Sequence, residues 1–205
     1  MPDAAHLLVR NSHRRHAASE VTFLRGLSLN RGRVHEFCGI ARRRLALMAA
    51  GAMQGPVFWI HPAWMPVNLN PDGMLHLANP SRFIFIRPKR SEDLLWTMEE
   101  TLRAGIVPLV VADLPEPPGL IPVRRLQLAT ETGAAEGSCT PLGLILTPGT
   151  GGAPGVETRW SMTPAHGTGK QETWQLDRLR ARTEPVKRWH LSGGKAGPRI
   201  DLARA

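Results

Sequence analysis

The chain predicts an α/β fold built on a mainly parallel sheet, and three observations carry that expectation. Short apolar runs at 34–38, 57–60, 82–86, 107–112 and 142–147 have the length of strands, and helical patterns at 42–53, 91–105 and 123–135 separate most of them. Val57, Phe58, Trp59 and Ile60 are apolar without interruption, which suits a central strand covered on both faces. Beyond Pro148 the helical patterns stop, and short segments punctuated by glycine suggest antiparallel strands that complete the domain.

Taken in order, residues 1–19 read as a flexible basic arm. His6, His13 and His16 lie there among Arg10, Arg14 and Arg15, with Asp3 the one acid and no cysteine, too thin a set to expect metal ligands. Ser19 is placed to cap a short helix over Val21, Phe23, Leu24 and Leu27, and Asn30-Arg31-Gly32 turns the chain into the strand at 34–38. Gly39 breaks that strand, and a helix runs from about Arg42 to Met53. A strand, a glycine turn and a helix form the skeleton of a phosphate-binding loop, in which backbone N–H groups and the positive helix end meet an anion.

Four prolines from His61 through Pro80 make that segment mostly loop, with a short helix near Met74. Ser91, as N-cap, with Glu92 and Asp93 behind it, opens the clearest helix of the chain. Leu94, Leu95, Met98 and Leu102 make its apolar face, and Gly105 closes it. The next strand ends in Asp113, and Pro108 near its start can spare the missing ladder donor. A glycine-rich loop at 149–155 leads to strands near 159–162, 173–176 and 188–191, where Trp160, Trp174 and Trp189 serve as packing residues. The divisions are thus the arm at 1–19, an α/β core at 20–148, the loop and C-terminal strands at 149–192, and a flexible tail at 193–205.

The net charge of +9 is concentrated at the ends. Residues 1–44 hold nine Lys/Arg against three acids, residues 45–155 seven against nine, and residues 156–205 ten against five. Such a distribution fits contact with a polyanion such as nucleic acid, and equally an arginine-rich surface reflecting a GC-rich genome. Cys38 and Cys139 belong to no C-x-x-C pair, so neither a zinc site nor a disulfide framework is expected. No apolar run approaches 18 residues and no signal-peptide core follows the N-terminal charges, so a cytoplasmic protein without membrane contact is expected. His61 and His76 lack ligand spacing, and no serine sits in a nucleophile elbow.

Six segments in series carry a resemblance: GRVHEFCG, GPVFWI, EDLLWTMEETLRAG followed by IVPLVVADL, RRLQLATETGAAEG, PLGLILTPG and GGAPGVETRWSM. Their order resembles the RecA-like core, in particular the ImuA family of DNA-damage-inducible proteins, over roughly residues 20–192. RecA relatives are DNA-binding ATPases, yet a working phosphate loop reads G-x-x-x-x-G-K-[ST], and only Gly39 matches it here. Ile40, Ala41, Arg42, Arg43 and Arg44 follow in place of the second glycine, lysine and hydroxyl. His61, Pro62, Ala63 and Trp64 stand where the family has its catalytic glutamate, and Thr147 where it senses the γ-phosphate with glutamine. Asp113 does match the Walker B aspartate.

What the resemblance implies is therefore a frame that lost its phosphoryl-transfer chemistry, since lysine, hydroxyl and base are missing together. No cofactor is expected; Gly39, Arg42, Arg43, Arg44 and Asp113 form at most a vestigial ATP/Mg or anion site. Gly151, Gly152 and Arg159 lie where RecA carries a mobile DNA-binding loop. Arg178, Arg180, Arg182, Lys187 and Arg188 are candidates for DNA or partner contact, and the first three would share one face of an extended strand. The family further implies an accessory factor of damage-induced translesion synthesis, partnered by the Y-family-like protein ImuB, a DnaE-type error-prone polymerase and RecA, with direct DNA contact through the basic ends. A nucleotide-binding switch without hydrolysis and a SulA-type cell-division inhibitor are the alternatives.

Overall fold

A computed structural model describes residues 19–66, 68–165, 167, 172–193 and 199–202, the last four by their backbone alone. Residues 1–18 of the anticipated N-terminal arm, its histidines among them, lie outside these residues. The strands are β1 (Glu20–Leu24), β2 (Leu27–Asn30), β3 (Val34–Cys38), β4 (Val57–Ile60), β5 (Phe83–Ile86), β6 (Leu109–Asp113), β7 (Leu142–Leu146), β8 (Thr158–Pro164), β9 (Thr173–Ala181), β10 (Lys187–Ser192) and β11 (Arg199–Leu202). The helices are α1 (Arg42–Gly51), α2 (Pro71–Met74), α3 (Ser91–Ala104) and α4 (Leu120–Glu136).

Nine strands form one sheet in the order β11-β10-β9-β8-β3-β7-β6-β4-β5. From β8 to β5 every neighbouring pair is parallel, and from β8 outward through β11 every pair is antiparallel. The predicted α/β class with antiparallel C-terminal strands is therefore the observed one. Both faces are covered, and successive strand residues divide between them. Leu109 and Val111 join a core with α1 and the β1–β2 hairpin, while Val110 and Ala112 join a core with α3 and α4. That division explains why the central strands read as unbroken apolar runs.

The first segment is a strand pair, not a capped helix. Val21 and Phe23 point inward from β1, Leu27 and Leu29 from β2, and Thr22 faces Ser28 on the outside. This period of two, joined by Arg25-Gly26 with Gly26 at φ +76°, outweighs a serine placed like a cap. Phe23 packs edge-on against Trp160 at 5.5 Å, which seats the hairpin on the sheet.

Smaller differences have local causes. Arg90, with extended backbone, occupies the N-cap position of α3, so Ser91 falls one residue inside and makes no capping bond; Glu92 and Asp93 still face the positive helix end. Gly105 ends the helix in the left-handed conformation, as anticipated. Pro108 precedes β6, where its carbonyl accepts from the Leu142 amide at 2.9 Å. α4 starts at Leu120, ahead of the expected position, because Pro122 lies in a first turn whose N–H groups have no helical partner. Within the expected tail, residues 199–202 pair with β10 as β11, and residues 194–198 and 203–205 lie outside the described ones. Among the described residues, no helix is long and apolar enough to cross a membrane.

His35 is fully buried in β3, with Nδ1 2.7 Å from the Thr158 hydroxyl and Nε2 3.0 Å from the Asn30 carbonyl. Burial pushes its pKa down to about 4, and the backbone bond and nearby Arg33 are smaller influences. The unfolded chain takes up this proton near pH 6.5 and the folded chain only near 4, so the folded state loses stability as pH falls between those values. The expected slope is about 1.4 kcal/mol per pH unit in the middle of that window. Urea unfolding of the wild type and His35→Gln at about pH 7 and about pH 5 checks it: the variant should show the shallower pH dependence.

Candidate functional site

Ligands of open parallel sheets gather at the carboxyl ends of the strands, and here those ends bring together Gly39, the first turn of α1, His61, Asp113 and Thr147. The turn after β3 is tight. Gly39 has φ +85°, and a Cβ there would lie 2.5 Å from the Met162 carbonyl oxygen of β8. Glycine at this position answers to the turn and to the neighbouring strand.

A phosphate-binding loop offers unengaged backbone N–H groups to its ligand. In this loop the Gly39 amide donates to the Gly149 carbonyl at 2.9 Å and the Ala41 amide to the Met162 carbonyl at 3.0 Å. The Arg42 amide turns back onto the Gly39 carbonyl at 3.3 Å. The loop is stitched to β8 and to the 149–155 segment, and these three donors face protein.

The side chains complete the closure. Arg43 Nε donates to Asp113 Oδ2 at 2.5 Å, and Arg42 Nε lies 3.5 Å from Oδ1. Asp113 is 1% exposed, and both guanidinium groups are largely covered. Three arginines in the first turn of a helix oppose its dipole, and the Asp113 carboxylate offsets that charge. The aspartate is thus occupied by guanidinium groups at the carboxyl end of its strand. Arg44 points elsewhere: it pairs with Glu172 at 3.0 Å and lies over the Trp174 ring at 4.9 Å. His61 is buried nearby with its pKa lowered, first by burial and then by the charge of Arg87. Burial pushes the Cys38 thiol up to about 11, which makes it a poor nucleophile.

A residue outside the sequence-level candidates organises the rest of the region. Glu36, in the middle of β3, is wholly buried. Its Oε1 accepts from the Thr147 hydroxyl at 2.7 Å and the Gly152 amide at 2.9 Å, and the Ala153 amide donates at 3.2 Å. Arg159 Nε, on the adjacent strand β8, donates to Oε2, while its Nη2 donates to the Ala153 carbonyl at 2.8 Å. Gly151 passes so near that a Cβ would lie 2.7 Å from Glu36 Oε1. The glycine-rich segment is therefore folded around a buried carboxylate, and Arg159 and Thr147 face inward to the same group. The available signal was a lone acid inside a strand otherwise destined for burial, which must find partners.

The C-terminal arginines do not form the single face expected from alternation. Between Arg159 and Trp160 the register with β9 shifts, so Arg178 lies opposite Trp160 and Arg180 opposite Arg159. One extra residue, Leu179, is accommodated as a bulge. Arg178 consequently turns into the core side, 5.4 Å from the centres of both the Trp160 and Trp189 rings, and bonds Glu184 and the Pro185 carbonyl. Arg180 and Arg182 line the α4 side of the sheet. Lys187 is exposed above Trp189, and Arg188 pairs with Asp177 at 2.6 Å.

In comparison with known proteins, no protein-family model matches the chain and no curated protein matches it.

Removing one partner of a buried ion pair leaves an uncompensated charge. Glu36→Gln should lower unfolding free energy by about 3–5 kcal/mol in urea titration, and the Gly152 and Ala153 amides should lose protection from hydrogen exchange. Arg43→Ala should cost about 2–3 kcal/mol by the same measurement, with Arg43→Lys closer to wild type.

Proposed function

We propose that this protein is a non-catalytic scaffold on a RecA-like frame, acting as an accessory factor in DNA-damage-induced mutagenesis. One observation carries the non-catalytic part: Arg42 and Arg43 sit on Asp113, with the loop amides of Gly39, Ala41 and Arg42 bonded to carbonyls. Nucleotide binding would have to break this arrangement before a phosphate could enter, and no lysine or hydroxyl of the required pattern follows Gly39. The role in mutagenesis draws on the resemblance of the six ordered segments to the ImuA family. By that resemblance the partners are an ImuB-like Y-family protein, a DnaE-type error-prone polymerase and RecA. Arg159 is bound to Glu36 and Arg178 lies buried beside Trp160 and Trp189, so these two side chains are engaged within the fold, and contact with a partner or with DNA falls to exposed residues such as Arg180 and Lys187.

A second reading, a nucleotide-dependent switch without hydrolysis, draws on the looser half of the same cluster. Arg42 Nε and Asp113 Oδ1 lie at ion-pair distance, 3.5 Å, and neither atom has a hydrogen bond among the described residues. An anion would draw Arg42 away while Arg43 remained paired with the aspartate.

Calorimetry with Mg-ATP separates the two. The scaffold predicts no heat of binding at about millimolar nucleotide, whereas saturable heat abolished by Arg42→Ala would favour the switch. Deletion of the gene should remove damage-induced mutation and the intact gene should restore it; an unchanged mutation frequency would count against the accessory role.

A further inference from the structure

A groove of about 520 Å³ runs along α4, bounded across from the helix by Pro154, Gly155 and the end of β9. Its floor includes Gln127, whose amide group bonds the Val34 backbone and the Gly155 carbonyl, so the wall positions are fixed by the core. Leu120, Arg124 and Leu128 follow one another at helical i, i+4 spacing along one face, and Glu131 lies at the far end. Leu120 is 40% exposed and Leu128 63%, an unusual cost for leucines on a helix whose other face already has a full core.

Three of the four charged side chains around this apolar strip are positive. Arg124 rises from the helix wall, and Arg180 and Arg182 from the strand wall. Arg182 reaches Glu157 at 3.3 Å, but among the described residues Arg124 and Arg180 are exposed and make no ion pair. Glu131, the one acid of the lining, is neutralised by Arg33. An occupant must therefore offer apolar groups to the strip and negative groups to both rims.

We propose that this groove is the docking site for an acidic, amphipathic segment of a protein partner. Leucine-like side chains of that segment lie against Leu120, Leu128 and Pro154, and its carboxylates meet Arg124 and Arg180. The mode is that of a helix or short extended segment read by a hydrophobic groove, with rim charges setting orientation and encounter rate. A single-stranded nucleic acid fits less well, because the lining holds no aromatic ring for bases to stack on and its surface is interrupted by leucines. The proposal gives a chemistry to the partner of the scaffold described above, and rests on that scaffold role.

The test uses the full-length protein and a fluorescein-labelled peptide of about a dozen residues, leucine at every fourth position and aspartate or glutamate between. A second peptide carries lysine for each acid, and labelled oligo-dT is the third probe. Fluorescence anisotropy should show saturable binding of the acidic peptide only. The paired variant Arg124→Glu with Arg180→Glu should weaken it by about tenfold or more, and Leu128→Asp should do the same. All three positions are exposed, so an unchanged thermal midpoint and circular dichroism spectrum identify the loss as one of binding. Equal binding of both peptides, or acidic-peptide binding that the variants leave intact, would overturn the proposal. Oligo-dT binding that is lost in the arginine variants, with no peptide binding, would overturn it in favour of nucleic acid. Peptide binding together with an unchanged mutation frequency on gene deletion would remove the mutagenesis role and leave the groove; the reverse pair of results would remove the groove alone.

Discussion

The Glu36 carboxylate is the constraint on which the centre of this fold depends. It is a carboxyl group wholly buried in a nine-stranded sheet, and such a group is tolerated only when its oxygens are engaged. Its partners come from the end of β7, the glycine-rich segment and β8, so satisfying one side chain fixes the relative placement of three parts of the chain. The pairing of β3 with β7 on one side and β8 on the other brings these parts within reach. In this sense the polar centre supplies specificity that the apolar layers cannot, because leucine and valine contacts alone tolerate alternatives.

The same strand explains why the amides of the turn between β3 and α1 face protein. β3 leads directly into the Gly39 turn, and β8 lies alongside it close enough to accept the Ala41 amide. Asp113, at the end of β6, meets the first turn of α1 through arginine side chains. Each half of the cluster removes a charge problem created by the other: the cations disfavoured at the helix start and the carboxylate disfavoured in a dry site. The result is an inward-facing charge cluster at the carboxyl ends of the strands, where open parallel sheets in general place ligands.

Most of the central sheet was legible in the sequence because burial on both faces leaves a strong signal. Val57–Ile60 and Leu142–Leu146 can hardly be anything but covered strands, and the acidic first turn and left-handed Gly105 bound α3 clearly. The hairpin at 20–30 was misread because a serine in a cap-like position precedes apolar residues that also fit a period of two, and the tertiary packing of Phe23 decides between them. Of the grouping Gly39, Arg42, Arg43, Arg44 and Asp113, the structure places Arg42 and Arg43 on Asp113 beside the Gly39 turn and directs Arg44 to Glu172; position after a strand is a property of local order, whereas the direction of each arginine is not. Glu36 and the burial of Arg178 were not legible, because both depend on register: which residue of β8 stands beside β3, and where β9 takes up its bulge. One residue of slip redirects a side chain to the opposite face, and no local pattern records it.

The sheet order also sets a schedule for assembly. β3 is made early, but its two neighbours are β7 and β8, which begin about a hundred residues later. During synthesis at about 5–20 residues per second, this strand waits on the order of 5–20 s without a partner on either edge. An unpaired strand of wholly apolar residues would be a template for pairing with other chains over that interval. Glu36 places a charge at its centre for as long as it is exposed to water, and the charge is drawn inward only when the correct neighbours arrive.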